Sequence, residues 1–89
     1  LIGNTNFSVY LRLDVKDKHG VLSDITKIMA RHKVSIKRLI QKPFRKKNYA
    51  SIIIISHLAK DTSLRKMLID LNKKKYFVKK PKLIRIENI

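Results

Sequence analysis

Residues 7–29 read FSVYLRLDVKDKHGVLSDITKIM, and within them the hydrophobic period changes once. From Phe7 to Val15, apolar Phe7, Val9, Leu11, Leu13 and Val15 alternate with Ser8, Tyr10, Arg12 and Asp14, the period of two of a half-buried strand. After Gly20 the apolar positions become Val21, Leu22, Ile25, Ile28, Met29 and His32, one face of a helix, with Asp24, Lys27 and Arg31 opposite. A strand that feeds a helix through so short a turn sets the topology of the rest of the chain.

The remaining chain repeats this alternation. Val34 to Lys42 returns to strand periodicity with Ile36 and Ile40 on one side, and Pro43 with FRKKN forms a connection. Tyr49 to Leu58 is a third strand whose centre, SIIIIS, is apolar on both faces. Asp61 to Lys74 carries Leu64, Met67, Leu68 and Leu71 at helical spacing, with Asp61 or Thr62 as the capping residue. A last strand falls between Tyr76 and Ile86, interrupted by Pro81, which favours an edge position or a bulge. The order predicts an α+β, ferredoxin-like βαββαβ sandwich: a four-stranded antiparallel sheet with two helices on one face. Tyr10, Ile53 and Ile55 would then face outward unburied, a surface expected to be covered by a second copy of the chain.

Length and composition bound the function. Eighty-nine residues, 44% hydrophobic, suffice for one small two-layer domain and leave no room for a large catalytic cleft. There is no cysteine, and the apolar run Ile52 to Ile55 is far too short to span a bilayer, so a cytoplasmic setting without membrane contact is expected. The opening residues 1–6, LIGNTN, lack the basic start and apolar core of a signal peptide and are expected to link residues 7–89 to a region upstream. A net charge of +16 raises the question of nucleic acid. Sixteen of the 22 basic residues are lysine, however, in a chain also rich in isoleucine, the profile of an A/T-rich coding bias and a solvated surface. An RNA-recognition motif would share the topology, yet its third strand would need rings where this chain has isoleucine, so specific nucleic-acid binding is not expected.

Gly20 marks the one place where the pattern suggests a ligand. It is read as ending the loop and opening the first helix, whose leading amides lack intrahelical partners and favour an anion. Asp17 stands three residues earlier as an acceptor. A carboxylate beside free amides could hold a zwitterion, Asp17 taking the ammonium group and the amides the carboxylate. Any strand-to-helix turn can also use glycine for its backbone angles and aspartate as a solvated residue. Asp14, Asp17 and Asp24 are close in sequence but fall on different faces, and His19, His32 and His57 share no ligand spacing, so no metal site is expected.

The stretch LDVKDKHGVLSDITKIMARHKVSI resembles the opening half of an ACT domain: apolar strand, Asp, two residues, Gly-Val-Leu, amphipathic helix, and a strand opened here by VSI. The second half, with IQKP, ASIIIISHLAKDTSLRKMLIDLNK and VKKPKLIRIEN, resembles the C-terminal ACT domain of homoserine dehydrogenases. The Asp-x-x-Gly opening is shared with other ACT-containing proteins, including (p)ppGpp synthetases. The resemblance implies a regulatory domain over residues 7–89 that binds a small amino acid, threonine foremost, and forms a homodimer. It places the effector near Asp17, Gly20, Val21 and Leu22, with Ser35 and Ile36 facing the same pocket across a subunit interface. Ser35 and His19 stand where many relatives carry Asn and Pro. No Gly-rich nucleotide loop follows a strand here, so no cofactor and no catalytic residue are expected in this chain; the resemblance implies that NAD(P) and the oxidoreductase chemistry belong to a parent enzyme.

Overall fold

A computed structural model describes residues 6–16, 18–43, 46 and 48–86. Its elements run β1 (Asn6–Lys16), α1 (Lys18–Arg31), β2 (Ile36–Pro43), β3 (Tyr49–Ser56), β4 (Ala59–Lys60), α2 (Asp61–Asn72) and β5 (Lys82–Ile86). The sheet is antiparallel throughout, in the order β2-β3-β1-β5, and the two residues of β4 pair with the start of β1 in a register that continues that of β3 with a shift of one residue. This is the expected fold with one short strand added before α2.

β1 sits at the centre because its alternation serves both pairings at once. Leu11 stands opposite Ile54 and Leu13 opposite Ile52 on one side, while Leu11 faces Leu83 on the other. Val9, Leu11, Leu13 and Val15 are all fully buried. Val21, Ile25, Ile28 and Met29 from α1 and Leu64, Met67 and Leu71 from α2 complete the core on that face. The opposite face carries Tyr10 between Ile55 and Ile84, with Arg12 paired to Ile53. Tyr10, Ile53 and Ile55 are half-buried rather than bare, because neighbouring strands screen them, and Ile84 is the more open at 46%.

Several boundaries differ from those the sequence predicts. α1 begins at Lys18, so Gly20 is its third residue, without a positive φ, instead of the last loop residue. A Cβ built on Gly20 would meet nothing within 4 Å, so packing within the chain does not demand glycine there. Neither Asp61 nor Thr62 caps α2: Lys60 does so in an extended conformation, without a side-chain bond. The Asp61 carboxylate is occupied instead by Arg65 and Arg85, each at 2.8 Å, and Arg85 also lies over the Phe7 ring. Pro43 ends the edge strand β2 instead of starting the connection. The last strand starts only after Pro81, preceded by a lone bridge between Phe77 and Val15.

α1 closes through a residue that the sequence hides. Lys33 adopts φ 59°, its N–H bonding Ala30 O at 3.0 Å while Val34 N–H bonds Met29 O at 2.9 Å. That double closure is the Schellman motif, which normally uses glycine at the left-handed position. Two carboxylates then tie the helices to their surroundings. His32 Nε2 lies 2.6 Å from Asp70 Oδ2, and because an ionised carboxylate only accepts, the ring donates. Tyr76 donates its hydroxyl to Asp24 at 2.6 Å, anchoring the segment after α2 to α1. These hydrogen bonds, from His32 and Tyr76 respectively, are the first cause that holds both aspartates below their ordinary value of 3.8. Burial, then the same carboxylate, pushes the Tyr76 hydroxyl upward, so it remains a donor.

Lys33→Gly should stabilise the chain by about 0.5–1 kcal/mol in urea denaturation, because it removes the left-handed strain at a small entropic cost, whereas Lys33→Ala should give no gain. The lowered aspartates set an acid limit. Below 3.8 the unfolded chain binds protons that the folded chain resists, so their contribution is complete above that value and is lost as pH falls through the folded values. Urea midpoints taken from neutral pH downward should fall more steeply for the parent chain than for an Asp24→Asn, Asp70→Asn double variant; parallel curves would contradict the assignment.

Candidate functional site

Two ends of α1 carry the residues expected to form an effector site, and the fold separates them. At its N-terminus Lys18, His19 and Gly20 have no residue four back within the helix to accept their amides. Gly20 is exposed, and its open side leaves the peptide groups of this turn approachable. Val21 is buried in the core and Leu22 packs against it, so Val21 turns its side chain away from solvent. Asp17 lies outside the described residues.

At the other end, Ser35 and Ile36 line an open depression of about 390 Å³ together with Thr26, Ala30, Lys33 and Val34. The left-handed turn at Lys33 shapes it, and Ser35 O accepts from His57 N–H at 2.9 Å, which holds the entrance to β2 against the end of β3. Ser35 is exposed and Ile36 half-buried against the core. Thr26 donates its hydroxyl to Ser23 O at 2.9 Å, so its oxygen retains capacity only as an acceptor. From Gly20 to Ala30 the helix rises about 15 Å. Gly20, Val21 and Leu22 therefore contribute nothing to the depression that Ser35 and Ile36 line.

Sequence reasoning misses Thr26, Ala30 and Lys33. Thr26 and Ala30 stand four apart on one helical face, a signal that is present, but Lys33 carries no mark of its left-handed conformation. A second hollow, of about 290 Å³, is equally unannounced: Arg12, Asp14, Lys79, Lys80 and Lys82 line it on the outer side of the sheet. Asp14, expected on the outward side of its strand, does face outward, yet it is only 6% exposed. Its Oδ1 accepts from the Ser51 hydroxyl at 2.6 Å and lies 3.6 Å from Arg12 Nε. Among the described residues no helix is long and apolar enough to cross a membrane.

Known proteins resemble the chain along the same lines as its geometry. A homoserine dehydrogenase of Helicobacter pylori is 34% identical over 79 residues, which are 89% of this chain and 19% of that enzyme. The crystal structure of a homoserine dehydrogenase from Thiobacillus denitrificans superposes with a TM-score of 0.82 at 26% identity, covering 98% of this chain and again 19% of the other. The chain thus spans about a fifth of the length of these enzymes and is most like their C-terminal region. The ACT domain from the GTP pyrophosphokinase of Chlorobium tepidum shares the fold at 17% identity, with a TM-score of 0.67 over 92% of this chain and all of that domain. The sequence pattern of the ACT domain matches residues 9–74, and the chain belongs to that family.

Proposed function

We propose that the chain is the regulatory part of a homoserine dehydrogenase, binding a small amino acid, with threonine the first candidate, and converting its presence into the pairing of two copies. The reading rests chiefly on the placement of the candidate residues at opposite ends of α1. Gly20 and Ser35 belong to one pocket only if they come from different copies, the turn before α1 of one copy meeting the β2 entrance of the other. In that pocket Asp17 accepts the ammonium group, and the unpaired amides of the first turn of α1 receive the carboxylate. Ser35 and Ile36 of the second copy close over the side chain.

A ligand held by two copies at once favours the arrangement that brings them together, and by linkage that arrangement binds the ligand more tightly. A ligand with equal affinity for both arrangements would shift nothing. The likeness to homoserine dehydrogenases over nearly the whole chain supports an oxidoreductase parent using NAD(P), acting in the cytoplasm, with nucleotide and substrate held by other parts of it. The aromatic-poor outer face, with isoleucine at Ile53 and Ile55, argues against a role in reading RNA bases.

Isothermal titration of the chain with threonine and a panel of small amino acids, beside analytical ultracentrifugation, tests this. Saturable binding is expected, with the sedimentation coefficient moving toward the dimer as ligand is added. Asp17→Ala should weaken binding roughly 10- to 100-fold, the loss of one charge-assisted hydrogen bond, without unfolding the chain. Failure of every amino acid to bind a folded, dimeric sample would overturn the effector role and leave an assembly surface.

A further inference from the structure

The basic tract VKKPK, residues 78–82, is not absorbed by the regulatory reading, and the fold holds it with more care than a solvated tail requires. Just before it Lys16 N–H donates to Tyr76 O at 2.9 Å, and at its first residue Val78 N–H donates to Asp14 O at 2.8 Å. At its last residue, Lys82 pairs with Arg12 at the start of β5. Lys79, Lys80 and Pro81 thus bridge two fixed points, and proline stiffens the span further. Lys79, Lys80 and Lys82 of the tract line the 290 Å³ hollow together with Arg12 and Asp14.

The charges in this hollow are badly balanced. Four cationic side chains, Arg12, Lys79, Lys80 and Lys82, face a single carboxylate, and that carboxylate is buried and engaged by Ser51 and Arg12. Lys42 adds a further cation on the same outer face, opposite Ser51. Holding like charges together on a pinned backbone is unfavourable until an anion neutralises them, and the pinning removes much of the ordering cost of binding one. We propose that Arg12, Lys79, Lys80 and Lys82 form a binding site for a small polyphosphate anion, of the inorganic pyrophosphate or nucleoside diphosphate class. A diphosphate carries several negative charges to set against the four cationic residues that line the hollow. The Arg12 fork and the lysine ammonium groups suit phosphate oxygens as charge-assisted donors. No aromatic ring lines the hollow among the described residues, so the platform on which nucleic-acid bases stack is missing and the site fits a compact anion better than a nucleic-acid strand.

The test separates this site from adhesion by a chain of net charge +16. Pyrophosphate and ADP are titrated at about 0.15 M salt, where long-range attraction is screened. Each is titrated into the parent chain, a Lys79→Gln, Lys80→Gln variant, an Arg12→Gln variant, and a Lys37→Gln, Lys66→Gln control that loses equal charge at exposed positions elsewhere. One-to-one saturable binding is expected, weakened at least roughly tenfold in both site variants and held within about twofold in the control. All three variants should share the parent's circular dichroism; the Lys79→Gln, Lys80→Gln variant, altered at exposed positions, keeps the test decisive even if Arg12→Gln perturbs Asp14. Equal affinity for pyrophosphate and ADP would mean that the diphosphate alone is read, and tighter ADP binding that the rim also contacts the nucleoside. Absence of saturation, equal weakening in the control, or saturation only by a mixed-sequence RNA oligomer would overturn the proposal.

Discussion

The pairing of β1 on both edges is the constraint on which the molecule depends. One row of side chains, Val9, Leu11, Leu13 and Val15, has to meet the helices while the same backbone supplies ladders to β3 and to β5. A slip of one residue would turn Tyr10, Arg12 and Asp14 inward and the whole apolar row outward. Register is therefore decided twice, by each neighbour, and the two decisions agree. The consequence reaches the surface. Because Asp14 is held in place by this register, Ser51 stands directly opposite it and can satisfy the carboxylate at 2.6 Å.

The features legible in the sequence are those that rest on periodicity. The alternation in Phe7–Val15 and the helical spacing from Val21 to Met29 each reflect burial of one face, and both reappear in the structure with little change. Features that rest on a single backbone angle are not legible. Glycine would have announced the left-handed turn after α1; with Lys33 there, the composition is silent. β4 is two residues long and has no period to detect. The start of α1 is misplaced when Gly20 is treated as punctuation, because glycine in a first helical turn needs no special conformation.

The candidate site is legible to a different degree. Gly20, Val21, Leu22, Ser35 and Ile36 are grouped by family resemblance, and the structure separates the first three from the last two along α1. Sequence proximity gives no view of that separation, since it results from the rise of the helix. Nor does it show that Lys79, Lys80 and Lys82 fold back toward Arg12, which is far from them in the chain but opposite Lys82 in the sheet. A charge run reads as solvated surface until a strand pairing gathers it around one point.

The stiffness of the β1 layer also limits how such a domain could transmit a signal. A packed row at zero exposure, bonded on both edges, has no second arrangement close in energy, for a close-packed interior resists continuous deformation. The Tyr76–Asp24 and His32–Asp70 contacts lock α1 to the segment after α2 and to α2 itself, so the helices are not free to slide separately. A ligand at the turn into α1 therefore finds little within one copy to switch. In the pairing proposed above, the bistable element would be the contact between copies, where the half-buried outer residues are available to pair in more than one way. Under that proposal, a signal would pass by rigid bodies changing partners or angle, with the fold of each copy preserved.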